Sequence, residues 1–400
     1  MTRRVAGIVA EYNPFHSGHA YHLAEARRVT DAAAVVVVLS SHFVQRGEPA
    51  CLDPQTRTAM ALEGGADLVV ELPVPFCCHN AGVFAGAAID ILAATGVVTD
   101  VVFGMEDREA PIETIASILL DEPAPFKEAL ARNLRTGLSF VESRSRAIDA
   151  LLPGAGGVLS RPNNSLAVAY VRQIFKARYP LEARPICRLG PGYHDRTRGR
   201  IMSATALREA LKEGDRSALN EAMPEYAFGR ISASLASDRC LADDETLWRT
   251  MRILFLREGS TRLASMAEMS EGIERAFVRE ARSGRTWRQF VDSLTSKRYP
   301  RGRIQRQAIH CLLGLDQETN RALQRSGPLF SRVLGANGTG RDLLREMGDR
   351  ATIPFVSRGS EIPEGAAQTI ERLRHVAGEI WEGLLPVAAQ RDPFEPPLMI

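Results

Sequence analysis

Four short β-branched runs, Val5–Ala10, Ala34–Leu39, Leu68–Leu72 and Asp100–Phe103, alternate with helical stretches through the first hundred residues. No other feature of the chain narrows the fold as much. The intervening segments His19–Val29, Gln55–Glu63 and Asn80–Ala94 are each long enough to carry a crossover between parallel strands, and such crossovers are right-handed. The alternation predicts an α/β fold with an open, doubly wound parallel sheet. From Ile112 to Phe175 the pattern becomes mostly helical, broken at Pro123–Pro125 and by the Gly-rich stretch Pro153–Gly157, which reads as a surface loop. Ala183–Leu189 is a further candidate strand. Beyond Gly214 strand signals thin out, while Leu241–Glu258, Met266–Ser283, Trp287–Thr295 and Arg303–Leu313 carry helical periodicity. The expected division is an α/β domain over residues 1–214 and a mainly helical domain over 215–400, with the proline-containing tail Asp392–Ile400 at the periphery.

A chain of 400 residues with 45% apolar and 24% charged residues supports a sizeable core without disulfide staples and is no disordered tail. Its longest apolar run, around Ala32–Leu39, is strand-sized, far short of the roughly 18 residues of a membrane span, and the first residues lack a signal-peptide pattern. A cytoplasmic protein with no membrane partner is expected. Fifty Lys and Arg against 48 Asp and Glu leave a net charge of +2, so any affinity for nucleic acid must come from a local patch. The six cysteines, Cys51, Cys77, Cys78, Cys187, Cys240 and Cys311, show no C-x-x-C spacing and are expected to be mostly buried thiols.

The strongest chemical signal is the run from Gly7 to His19, which ends in His16-Ser-Gly-His19 where the first strand gives way to the first helix. The carboxyl edge of a parallel sheet and a helix N-terminus both present oriented N–H groups, so phosphates bind there without a Walker lysine. Gly18 permits a tight turn, and imidazole N–H groups can stabilise charge developing on an α-phosphate and a leaving pyrophosphate. A metal site including His22 is the other reading, but no carboxylate stands at ligand spacing. Downstream, Ile201-Met-Ser-Ala-Thr-Ala-Leu-Arg208 follows a polar loop and opens a helix. Ser203 can cap that helix, and with Thr205 and the free amides it makes a second anion cradle.

These two motifs together resemble the adenylyl- and cytidylyl-transferase superfamily with its H-x-G-H signature. Further segments narrow the likeness: Ser40–Glu48, Ala66–Pro73, Phe103-Gly-Met-Glu106, Arg161-Pro-Asn-Asn-Ser165 and Gly190-Pro-Gly-Tyr-His-Asp195. With the Gly7–His19 run they resemble the bacterial tRNA(Met) cytidine acetate ligase family, densely over about the first 210 residues and loosely near residue 300. The resemblance implies an enzyme that uses ATP, carried with Mg2+, and acetate to form acetyl adenylate, then acetylates N4 of the wobble cytidine of elongator tRNA(Met). It implies His16 and His19 as catalytic residues. It implies an ATP site of Gly7, Ile8, Val9, Ala10, Glu11, Tyr12, Asn13, Pro14, Phe15, His16, Ser17, Gly18, His19 and Ala20, together with Gly104, Asn163, Arg188 and Ser203. Asn164 is an equally placed donor beside Asn163. Ala204 stands where many superfamily members carry a second serine, so one phosphate-facing hydroxyl is absent.

The loop Ser40–Glu48 brings His42, Gln45 and Arg46 to the same sheet edge, where Gln45 or Arg46 can position a carboxylate substrate. Asp67 and Glu71 flank an apolar triplet and read as the ends of a strand rather than as metal ligands. In the helical half, Lys297, Arg298, Arg301, Arg303 and Arg306 crowd ten residues with no acid among them, and Tyr299 offers a ring for base stacking. That run is the candidate tRNA contact. Gly335-Ala-Asn-Gly-Thr-Gly340 has no evident βαβ unit around it and reads as a loop facing RNA with Arg332 and Arg341. An alternative function is an adenylyltransferase acting on a small phosphorylated metabolite without RNA. A third, non-catalytic RNA-binding module is disfavoured by the intact His16, Gly18 and His19.

Overall fold

The computed structural model describes residues 3–188, 202–387 and 395–400. Among the described residues ten strands follow one another: β1 (Val5–Ala10), β2 (Ala34–Ser40), β3 (Phe43–Val44), β4 (Glu48–Pro49), β5 (Leu68–Leu72), β6 (Asp100–Met105), β7 (Glu182–Cys187), β8 (Ser331–Ala336), β9 (Phe355–Val356) and β10 (Leu398–Met399). β3 and β4 form a separate hairpin; the others make one sheet in the order β10-β8-β5-β2-β1-β6-β7, with β9 beside β8. Neighbours from β5 to β7 are parallel, as the alternation of runs predicts.

β2 shows why the pattern works. All seven of its residues are buried. Val36 and Val38 enter one core with the helix Ala81–Ala94, while Val35, Val37 and Leu39 enter the other with the helices Ser17–Thr30 and Pro54–Glu63. Side chains alternate across a sheet, so a strand covered on both faces must be apolar without interruption. The chain starts at β1, winds outward through β2 to β5, then returns to lay β6 on the other side of β1. An open α/β sheet leaves a crevice at such a switch point, outside the carboxyl ends of the strands.

The second half is helical through Ser326, around an aromatic cluster in which Phe290 meets Trp248, Phe255, Phe277 and Trp287. It then returns to the sheet. β8 pairs antiparallel with β5, and the helix Gly338–Arg350 follows it. The segment expected as a glycine-rich loop is therefore the end of a buried strand and a helix start. Two of its three glycines are packing residues: a Cβ at Gly335 would lie 2.8 Å from Leu398 O, and one at Gly340 would overlap the carbonyl of Asp67. Arg332 is buried in β8 and donates to Glu395 O, and Arg341 donates to Ile400 O, so neither forms an open RNA-facing loop. Of the tail, Leu398–Met399 adds the edge strand β10; Asp392–Phe394 lie outside the described residues.

Five cysteines are buried and Cys187 is exposed. Among the described residues no helix is long and apolar enough to cross a membrane. Asp67 accepts Val35 N–H at 2.7 Å and pairs with Arg27 at 2.6 Å, and Glu71 accepts the Ser41 hydroxyl at 2.5 Å; both are buried at strand ends.

Candidate functional site

The helix Ser17–Thr30 begins with a reciprocal cap made by two imidazoles. His16 Nδ1 accepts Gly18 N–H at 3.0 Å, and His19 Nδ1 accepts His16 N–H at 3.2 Å. In a neutral ring with Nδ1 accepting, the proton sits on Nε2. Burial keeps both rings neutral: His16 is pulled down to about 4 by desolvation and then by Arg188, and His19 is pushed well below its ordinary value by desolvation and by His16. The rings stack with centroids 3.8 Å apart. Each is thus a preset Nε2–H donor facing the crevice.

The crevice has two lobes of about 450 and 400 Å³ that share His16, His19, His22, Gly104, Asn163, Arg188 and Ser203. Of the run Gly7–Ala20, Val9, Ala10, Glu11, Tyr12 and Asn13 also line it, and Gly18 lines the second lobe. Gly7 and Ile8 do not reach it. Ile8 is wholly buried, and a Cβ on Gly7 would strike Leu92 at 2.8 Å, so Gly7 lets a helix close on β1. Phe15 packs on Tyr12 and Tyr226, Ala20 lies against the same core, Ser17 donates to Ala222 O at 2.9 Å, and Pro14 is buried. These residues shape the loop from behind. Tyr12 adopts a left-handed φ of 47°, a strained conformation for a bulky residue, held by its buried ring.

His22 donates from Nε2 to Val102 O at 3.2 Å, which commits the nitrogen a phosphate would use. Gly104 makes room for Arg188: a Cβ there would lie 2.7 Å from Arg188 Cγ. Arg188 Nη1 donates to Asn163 Oδ1 at 2.8 Å, and Asn163 Nδ2 donates to Glu106 at 2.5 Å. Glu106, unassigned from sequence, also takes the amides of Asn163 and Asn164 at 3.2 and 3.0 Å. It closes the N-terminus of the helix Pro162–Ala177. Asn164 points inward instead, its Oδ1 accepting Glu106 N–H at 2.9 Å, and only Asn163 faces the crevice. The Phe-Gly-Met-Glu motif carried that signal, since a carboxylate just past a strand end suits a nearby helix start.

Ser203 caps the helix Ala204–Glu213, accepting Ala206 N–H at 3.2 Å, and its N-terminal turn lines the crevice. Arg208, quoted in the motif without a role, donates to Asn13 O at 2.9 Å and pairs with Glu48 at 3.2 Å. Ile201 and the Gly190–Asp195 motif lie outside the described residues. Beneath the crevice, the buried Arg57 donates to Glu11 O at 2.7 Å, Ser40 O at 2.9 Å, Leu52 O at 3.0 Å and Ser41 O, tying the ends of β1 and β2 together. Gln45 and Arg46 line the crevice; His42 packs beside Trp381.

The basic run divides in two. Lys297, Arg298 and Arg301 stand in solvent, the arginines paired with Glu271 and Asp292. Arg303 lies over the Tyr299 ring at 4.6 Å, and Arg306 is turned inward against Glu268 at 3.6 Å. Tyr299 is buried, its hydroxyl donating to Ser270 O, so its ring is not open to a base. The acids that neutralise this run come from elsewhere in the chain.

The HIGH Nucleotidyl Transferase family model matches residues 3–392. The chain is 33% identical to the tRNA(Met) cytidine acetate ligase of Fervidobacterium nodosum, over 97% of this chain and 92% of that one. It is 35% identical to that of Syntrophotalea carbinolica, over 90% and 86%. The crystal structure of Thermotoga maritima TmcAL bound with alpha-thio ATP superposes with a TM-score of 0.92 at 30% identity, covering 99% of both chains.

Proposed function

The chain belongs to the HIGH nucleotidyl transferase family and, within it, to the tRNA(Met) cytidine acetate ligases, and from that premise we propose that it activates acetate with ATP and acetylates N4 of the wobble cytidine of elongator tRNA(Met). The observation that carries the reading is the pair of Nε2–H donors preset by the His16–His19 cap at the switch point of the sheet. An acetate oxygen attacks the α-phosphate, and pyrophosphate leaves in line. Charge grows on the α-phosphate oxygens and the leaving group, where His16, His19 and the N-terminal turns of two helices can stabilise it. Neutral imidazoles suit this role, because they donate without releasing a proton.

Acetyl adenylate is a mixed anhydride and needs no covalent enzyme intermediate. The cytidine N4 attacks its acetyl carbon, AMP departs, and the N4 proton leaves with the phosphate or solvent. Magnesium arrives on ATP and takes most of its ligands from phosphate and water. The carboxylates in the crevice have other partners: Glu11 accepts Gln45 N–H at 2.8 Å, and Glu48 is held by Arg208. Asn163 and Arg188 are proposed as nucleotide contacts. Lys297, Arg298 and Arg301 are proposed as tRNA phosphate contacts, since exposed ion pairs are weak and exchange readily for phosphate. A tRNA substrate supports a cytoplasmic location, which we propose.

The test is exchange of labelled pyrophosphate into ATP with acetate, with propionate or with no acid, each with and without tRNA. Acetate-dependent exchange without RNA is expected. Exchange independent of any carboxylic acid would overturn the reading and favour a nucleotidyltransferase for a phosphorylated metabolite.

A further inference from the structure

The helix Arg301–Leu312 carries the end of the basic run, yet two of its side chains face the wall of the crevice. Gln305, buried, donates from Nε2 to Glu48 Oε1 at 3.0 Å. The other carboxylate oxygen of Glu48 lies 3.2 Å from Arg208, which donates to Asn13 O at 2.9 Å. Arg306 reaches Gln45 O at 3.4 Å. Between them the helix backbone presses on Gly47, whose φ of 81° belongs to glycine and where a Cβ would overlap the Arg306 nitrogen. On its other side the β3–β4 hairpin is held by Gln45 N–H on Glu11. A two-stranded hairpin is marginal by itself. Its geometry here is set by the first loop and by a helix nearly 260 residues away in sequence.

We infer that Gln305 and Arg306 are positioning residues for adenylate formation, clamping the Phe43–Pro49 hairpin so that Gln45 and Arg46 face the crevice and Glu48 holds Arg208 on Asn13. This rests on the proposed adenylation. It separates Arg306 from the tRNA contacts with which its sequence groups it. Small displacements of substrate-positioning groups cost rate steeply, so the clamp acts in the first half-reaction, before RNA is needed.

The test measures acetate-dependent pyrophosphate exchange without RNA in the full-length chain, comparing Gln305→Ala and Arg306→Lys with wild type. Arg306→Lys keeps a cation beside Glu268. Both variants are expected to raise KM for ATP or acetate about tenfold, the scale of one hydrogen bond involving a charged group, with a smaller change in kcat, a thermal midpoint close to wild type and retained binding of a tRNA(Met) transcript. Unchanged exchange with weakened tRNA binding would overturn the inference and make this helix an RNA contact only. Should wild type itself show no exchange, the adenylation reading fails, and the Kd for ATP in the two variants still decides the clamp: an unchanged value rejects it.

Discussion

His19 Nδ1 accepts the backbone N–H of His16 at 3.2 Å while His16 Nδ1 accepts that of Gly18 at 3.0 Å, so one pair of contacts caps a helix and fixes the tautomer of both rings. Structure and chemistry are joined in the same atoms, which dictates how the pair should be mutated.

Alanine at either position removes a cap, worth about 1 kcal/mol, along with a donor. His16→Asn keeps an oxygen for Gly18 N–H and loses only the Nε2–H. We expect His16→Asn and His19→Ala to slow acetyl-adenylate formation by about 100- to 1000-fold, the scale for one charge-stabilising donor, with folding retained by circular dichroism. Near-normal synthesis in a folded double variant would refute the assignment.

Burial pulls His16 and His22 down to about 4, against 6.5 in the unfolded chain. Between these values the unfolded chain binds protons that the folded protein does not. Stability is therefore fully present above pH 6.5 and is lost as pH falls toward 4, by about 1.4 kcal/mol per group per pH unit. The wild-type urea midpoint should drop from pH 7 to pH 5, and His22→Gln, which keeps a donor for Val102 O, should drop less. Equal losses in the two proteins would show that His22 titrates normally.

Neighbouring asparagines should separate cleanly. Asn163→Ala is expected to raise KM for ATP at nearly constant stability, because Asn163 faces the crevice beside Arg188. Asn164→Ala removes a fully buried side chain and the Oδ1 that accepts Glu106 N–H, and should cost about 1–3 kcal/mol. Matching effects on KM and on the unfolding midpoint would contradict this division.

Reversing charge at Lys297, Arg298 and Arg301 should weaken tRNA acetylation and leave acetyl-adenylate formation nearly intact. With about 0.7–0.9 counterions released per phosphate neutralised, the slope of log affinity against log salt should flatten by about two to three units. Matched and unmatched tRNAs should lose affinity alike, since phosphate contacts carry no sequence information. A slope identical to wild type would make the run a solvated face.

A fragment of residues 1–214 is expected not to fold alone. It lacks β8, which covers the edge of β5, a strand buried along its whole length. Exposed apolar edge strands aggregate. A monomeric fragment with cooperative thermal unfolding would disprove the dependence.

The strands β1, β2, β5 and β6 were legible because each is buried on both faces, a condition that writes an unbroken β-branched run. β8 was not. In Ser-Arg-Val-Leu-Gly-Ala only Val333 is of a strand-favouring type, and the segment is held by antiparallel pairing with a strand some 260 residues earlier. The strand-to-helix turn at the histidine pair and the cap by Ser203 were legible because capping is local, depending on residues within one turn of each other. Local reading could not show that the missing side chain of Gly7 makes room for Leu92, or that the Tyr299 hydroxyl is bound by Ser270 from another segment.

The sequence by itself determined the parallel α/β class and the strand-to-helix turn with its two imidazoles, which rest on spacing within short segments, and it carried the motifs whose resemblance implies the family's chemistry. Tertiary structure alone decided the order of strands that makes β1 and β6 flank the crevice, the turning of Asn163 toward the crevice and of Asn164 away from it, the pairing of the basic run with acids from other segments, and the contact of Gln305 with Glu48. Those relationships join positions tens to hundreds of residues apart. Their energies come from packing and desolvation at the point of contact, and neither is encoded by the neighbours of a residue in sequence.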